Sequence, residues 1–243
     1  MDLATYLEAL AGRLRTVAGD ELLGVYAGGS YALGAYDAGR SDIDVAAVVR
    51  SGASSALKDG IVASIRHEAL PCPARGLEFV LYRLASVSEP TLGAAFELNL
   101  NTGARMEFRA DTEPGDIEAF WFPIDRSILS RHGIALAGPP AAEVFAEMRR
   151  EALLPAVLES LRWHAEAGGT SDDAVLNACR ALRFAVDGVW TSKAAAGAWA
   201  VARSPEPLVE RALGIREGGG NLEASEVRLF LEAIADQVEA LRA

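Results

Sequence analysis

The sequence predicts an α+β protein in two parts, a mixed sheet with helices followed by a bundle of helices. Three observations predict it. Short apolar runs of strand character crowd the first 138 residues. Gly138, Pro139 and Pro140 then form a stiff break. Beyond that break the strand-like runs largely vanish and apolar residues recur at helical spacing. The expected domains are therefore 1–138 and 139–243.

In chain order, Leu3, Tyr6, Leu7, Leu10, Leu14 and Val17 give a helix over 3–17. "ELLGVYAGG" is a buried strand ending in glycines, and "DIDVAAVV" is a second. "SSALKDGIVASIRHEAL" has a serine start and a stop at Pro71, as a helix does. "LEFVLYR" is a third strand, rich in β-formers. Residues 86–120 are mixed, with "ARMEFRA" as an edge strand, and "DRSILSRHGIAL" reads as a helix ending at Gly133. In the second part, 141–167 is helical with a kink or break at Pro155. Val175, Leu176, Cys179, Leu182, Val186 and Val189 share one face of a helix over 172–190. Shorter helices over 193–203 and 205–213 and a last one over 222–241 complete the order.

Composition narrows the function classes. With 243 residues, 51% hydrophobic and 23% charged, the chain is globular and large enough for a substantial core. No apolar run reaches the ~18 residues of a membrane span. The N-terminus carries acids early and lacks the order of a signal peptide, so a cytoplasmic location is expected. Cys72 and Cys179 suggest no disulfide framework, and His67, His132 and His164 show no metal-ligand spacing. The formal charge of −11 argues against nucleic acid as partner and suits a cationic small molecule.

The chemistry concentrates between Gly28 and Glu78. Eleven residues separate Ser30 from Asp42, and Asp44 follows. On a strand, Asp42 and Asp44 point to one face while Ile43 and Val45 point into the core. Two adjacent carboxylates repel unless a cation neutralises them. Magnesium prefers oxygen ligands and takes one or two carboxylates plus phosphate oxygens. Gly28 and Gly29 clear the way for close approach, and backbone N–H groups with the Ser30 hydroxyl suit phosphates. Glu78 is an acid within an otherwise apolar strand. A neighbouring strand would bring it to the aspartates, as general base or third metal ligand. The set suits phosphoryl or nucleotidyl transfer.

"GGS" followed by "SDIDVAAVV" resembles the signature of the nucleotidyltransferase superfamily. "RHGIALAGPPAAEVF" and "LNACRALRFAVDGVWTSKAAAGAWAV" are similar to the aminoglycoside (3'')(9) adenylyltransferases, which act on spectinomycin and streptomycin. The resemblance covers 20–203 and is weakest over 86–120. It implies a polymerase-β-like first domain and a helical second one. It implies ATP as co-substrate and Mg2+ held by Asp42, Asp44 and Glu78, with Glu78 as catalytic base. Gly29, Ser30 and Ser41 would bind the triphosphate. Arg180 and Lys193, thirteen residues apart, would be the two cationic ATP contacts of the helical domain.

Two departures bear on the acceptor. Streptomycin-modifying members carry a tryptophan near 99–103, where this chain has "NLNTG". They also carry acids before the arginine helix. Here Thr170 takes one such position unless Asp172 or Asp173 does, in which case those two acids would bind the substrate, and Glu166 takes the other. The resulting expectation is a monomeric, magnesium-dependent enzyme that moves AMP from ATP to a hydroxyl of an aminocyclitol such as spectinomycin. The alternatives are the same chemistry on a metabolite or protein, and a vestigial nucleotide-binding module.

Overall fold

A computed structural model describes residues 1–115, 117–167 and 171–242. The chain divides into two compact units, Met1–Met148 and Arg149–Ala243.

The first unit is built on six strands: β1 (Leu22–Ala27), β2 (Ile43–Val49), β3 (Leu77–Arg83), β4 (Phe96–Gly103), β5 (Met106–Asp111) and β6 (Ile134–Ala137). Their order is β5-β4-β3-β2-β1-β6. β2 and β3 are parallel, and the other four neighbouring pairs are antiparallel. The parallel pair needs a crossover, supplied by the helix α3 (Ser55–Ile65). α3 starts where Ser54 accepts the Leu57 N–H. α1 (Leu3–Ala18) is capped likewise by Asp2, which accepts the Thr5 N–H at 2.9 Å.

The two faces of the sheet differ. Ile43, Val45, Ala47, Leu77, Phe79, Leu98 and Leu100 form one face, buried with Leu7, Leu10, Leu14, Ile61 and Ile65 of α1 and α3. Residues of the opposite parity on β1 to β3, joined by Phe96 beyond an irregularity in the β3–β4 pairing, form the other. There Tyr26, Ala46, Val48, Tyr82 and Phe96 cluster with Phe122, Val144 and Phe145. Phe122 lies on α5 (Trp121–His132) and Val144 on α6 (Ala141–Val144), and the single turn α4 (Leu84–Val87) follows β3. This second face becomes polar further along the same strands, at Asp44 and Glu78. One core thus leaves one end of one face available for chemistry.

The second unit is helical: α7 (Arg150–Ala167), α8 (Asp172–Asp187), α9 (Lys193–Arg203), α10 (Pro207–Gly218) and α11 (Ala224–Ala240). Ser171 and Ser192 cap α8 and α9 by accepting the Ala174 and Ala195 N–H groups. Gly188, in the left-handed region at φ 69°, ends α8.

Several elements depart from the sequence reading. β4 lies within the segment of mixed character, and β6 follows directly where the helix before Gly133 ends. Of the kink or break expected at Pro155, the break does not occur, since α7 runs through Pro155; the chain leaves helix instead between α6 and α7. The chain divides after Met148, ten residues beyond the expected boundary. The cause is packing. Ala141, Val144 and Phe145 belong to the core of the first unit, where the Phe145 ring stands edge-on to Tyr26 at 5.3 Å.

Candidate active site

β2 and β3 pair in register, so Ile43 lies opposite Leu77, Asp44 opposite Glu78 and Val45 opposite Phe79. Paired residues on adjacent strands point to the same face. The pairing continues from Glu78 to Asn101 on β4 and from Asn101 to Arg109 on β5. A polar row therefore crosses the sheet, flanked by buried residues on β2, β3 and β4.

Asp42 stands one residue ahead of β2. Arg75 holds it through both carboxylate oxygens, with Nε donating to Oδ1 at 2.8 Å and Nη2 to Oδ2. Among the described residues, no group of three or more His, Cys, Asp or Glu side chains is gathered so as to hold a metal. Nothing local marks Arg75 as a partner of Asp42, since it is an arginine in a loop thirty-three residues away.

The glycine turn lies directly against Asp44. β1 ends at Ala27, and the Gly28 N–H donates to the Asp44 backbone carbonyl at 2.9 Å. The single helical turn α2 (Gly29–Ala32) follows. Gly29 has φ +48°, and a Cβ there would overlap Asp44 Oδ2. No residue larger than glycine fits, for reasons of conformation and space together. The Ser30 hydroxyl is buried and has no hydrogen-bond partner among the described residues. A buried unpaired hydroxyl costs free energy, and a ligand oxygen at the turn would remove that cost. Ser41 closes a turn, its Oγ accepting the Asp37 N–H at 3.1 Å and its N–H reaching the Asp37 carbonyl at 2.7 Å.

Glu78 responds to this setting. Burial foremost, then the charges of Asp44, Asp42 and Asp125, push its pKa up to about 8, while Arg75 pulls the other way. Asp125 lies on α5, a contribution invisible in sequence because α5 and β3 are distant in the chain. So much negative charge around a buried carboxyl is the environment a divalent cation relieves. The carboxyl groups match Mg2+ in donor chemistry, with both Asp42 oxygens engaged by Arg75 and the three acids not gathered round one point.

The second unit holds the remaining expected residues. Arg180 lies on α8, where its Nη2 donates to Asn177 Oδ1 at 2.7 Å. Lys193 opens α9, and its Nζ lies 3.3 Å from Asp173 Oδ1. Arg216 of α10 reaches the same Asp173 oxygen at 2.9 Å and Asp172 Oδ2 at 3.4 Å. Burial lowers the Lys193 pKa, Asp173 opposes that, and Arg180 adds to it. Burial alone would raise Asp173, yet Lys193 and Arg216 outweigh it and hold the group low. Burial, and then Lys193 and Arg180, also lower His164. Arg216 and His164 were missed by sequence reasoning, since helix packing alone brings them to Asp173 and Lys193. Glu166 is exposed on α7, and Thr170 lies outside the described residues.

Residues 143–240 match the family described as aminoglycoside adenylyltransferase, C-terminal domain. No curated protein matches the chain. Among solved structures, the chain is similar to the spectinomycin adenyltransferase AAD(9) from Enterococcus faecialis, determined with ATP and spectinomycin. The TM-score is 0.69 at 16% identity, covering 98% of this chain and 100% of that one. The fold is shared along the whole length. No helix among the described residues is long and apolar enough to cross a membrane.

Proposed function

We propose that the chain is an aminoglycoside adenylyltransferase, as the match of residues 143–240 to that family's C-terminal domain supports, and that it transfers AMP from ATP to a hydroxyl of an aminocyclitol or aminoglycoside such as spectinomycin, releasing pyrophosphate. One observation carries the reading: the Asp44–Glu78 pair, set in register with the Gly29 backbone pressed against Asp44.

The roles follow from chemistry. Glu78 takes the proton of the attacking hydroxyl, and its raised pKa brings it close to the working pH of a general base. Gly29 and Ser30 meet the triphosphate, with the buried Ser30 hydroxyl donating to a phosphate oxygen. Ser41 lies in the same segment as Asp42 and shares that task. Asp42, Asp44 and Glu78 would hold Mg2+, which when bound supplies positive charge to the triphosphate and to the departing pyrophosphate. Arg180 and Lys193 add cationic contacts to ATP.

The acceptor is a cation, in keeping with the acidic chain. Asp173 leaves 49% of its side chain exposed and retains a face for an acceptor ammonium. Asp172 is only 7% exposed and already faces Arg216, so it acts within the protein rather than on the acceptor. The enzyme is proposed to act as a cytoplasmic monomer.

The test is AMP transfer from labelled ATP across a panel of aminocyclitols. Transfer to spectinomycin that disappears in Glu78→Gln is the expected result, and no transfer to any member sinks the acceptor assignment. A second reading, the same chemistry on another acceptor, draws on Asn101, a small polar residue directly beside Glu78. Protection of a susceptible host by the gene decides between the two.

A further inference from the structure

Arg75 and Asp42 form a contact whose geometry has a cost for the site around it. The guanidinium lies along the carboxylate and uses both oxygens, Nε to Oδ1 and Nη2 to Oδ2. Asp42 is 14% exposed and Arg75 50%. The root of Arg75 is fixed on each side. The next residue, Gly76, accepts the Ile43 N–H at 2.9 Å, and the Arg75 carbonyl accepts the Arg105 N–H at 3.3 Å. A Cβ at Gly76 would come within 2.6 Å of Met106 Sδ, so this backbone is pressed against the β4–β5 hairpin. Any swing of Arg75 is therefore a movement of its side chain on a fixed backbone. A bidentate fork covers the carboxylate lone pairs that an oxygen-seeking cation uses.

We infer that Arg75 is a resident competitor for the cation seat at Asp42, so that entry of a divalent cation and release of the guanidinium are a single exchange. The inference rests on Asp42 and Asp44 as magnesium ligands. It makes Arg75 a positioning residue of the site, one that acts on the cation through Asp42. Two effects of Arg75 must be separated. Its charge weakens cation binding from a distance, and its fork blocks the oxygens directly. Lysine keeps the charge and loses the planar fork, so Arg75→Lys distinguishes them.

The experiment is titration of the full chain with Mn2+ alone, free Mn2+ being followed by electron paramagnetic resonance, for wild type, Arg75→Gln and Arg75→Lys. Thermal unfolding establishes that each variant is folded. The expected result is tighter Mn2+ binding by about threefold to tenfold in Arg75→Gln, with Arg75→Lys moving most of that way. If Arg75→Lys stays at the wild-type value, only charge is at work and the exchange is overturned. Equal affinity in all three proteins overturns it as well while leaving the metal seat standing. Absence of Mn2+ binding in all three, folded and with ATP added, removes the seat itself and with it the assignment of Asp42 and Asp44.

Discussion

Glu78 and Lys193 are both ionisable groups drawn out of water, and their surroundings answer them differently. Around Glu78 the neighbours are mostly acids, Asp44, Asp42 and Asp125, with Arg75 as the countercharge. Around Lys193 the charges alternate. Asp173 is held between Lys193 and Arg216, with Arg180 and His164 close enough to shift the same groups. Strand register produces the first arrangement, because it places residues of like sequence role side by side. Helix packing produces the second, because it lets three helices each bring one partner. The first unit therefore gathers charges mostly of one sign about Glu78, and the second alternates them about Lys193. Charge of one sign suits cation binding and proton transfer, whereas alternating charges hold Lys193 and Asp173 in place for a ligand to engage.

Neutralising one acid in each unit tests this contrast most strongly. Glu78→Gln should lower AMP transfer by about 10²- to 10⁴-fold. It should also raise the stability of the metal-free protein at pH 8, read by urea unfolding, because a buried repulsive charge is gone. Asp173→Asn should do the reverse, costing a few tenths to about 1 kcal/mol at its half-exposed position. If both substitutions shift stability in the same direction, the contrast fails.

Gly29→Ala probes the same site through shape rather than charge. A methyl at φ +48° that meets Asp44 should destabilise the protein by about 1–3 kcal/mol, measured in urea. A loss within experimental error would mean that the turn yields easily and sets no boundary for Asp44.

A further contrast is in pH dependence. The folded-state pKa of Glu78 lies above its unfolded value, so the folded protein binds more protons between about pH 4.5 and 8 and the first unit loses stability as pH rises through that window. Asp173 and His164 are lowered. Asp173 contributes stability present above its unfolded value of 3.8 and lost as pH falls below it, and His164 does the same below 6.5. Hydrogen exchange at pH 5.5 and 7.5 should show protection falling in Met1–Met148 and rising in Arg149–Ala243 as pH increases. Parallel changes in both units would mean that the two sets of charges are not opposed.

What could be read in advance follows the same division. Asp44 and Glu78 each sit in a short apolar run whose period fixes the face, and a parallel pairing of those runs is enough to align them. The glycine turn was legible because Gly28 and Gly29 close an apolar strand shortly before the acids, where a bare backbone admits a phosphate. Arg75, Asp125, His164 and Arg216 were not legible. Each reaches its partner from a loop or helix distant in sequence, and no local pattern marks such an approach. β4 does carry a period-2 signal, Phe96, Leu98 and Leu100 alternating with Glu97, Asn99 and Asn101, but asparagine and glycine within it are poor β-formers and blur its bounds. β6 escaped notice because four residues are too few to show a period. The domain boundary was read from Gly138 and the two prolines, whereas Phe145, packed on Tyr26, carries the first unit beyond them.

The margins of the sheet have a bearing on self-association. At one margin, β5 presents Glu107, Arg109 and Asp111. At the other, β6 is only four residues long and is followed, after Gly138, by Pro139 and Pro140, which have no N–H to offer. Charge at one margin and brevity with proline at the other are the devices by which sheets refuse an added strand. Concentrated solutions should therefore stay free of strand-exchanged aggregates while β6 holds. Loss of β6 would bare the apolar ladder of β1, making that short strand the seal against fibril growth.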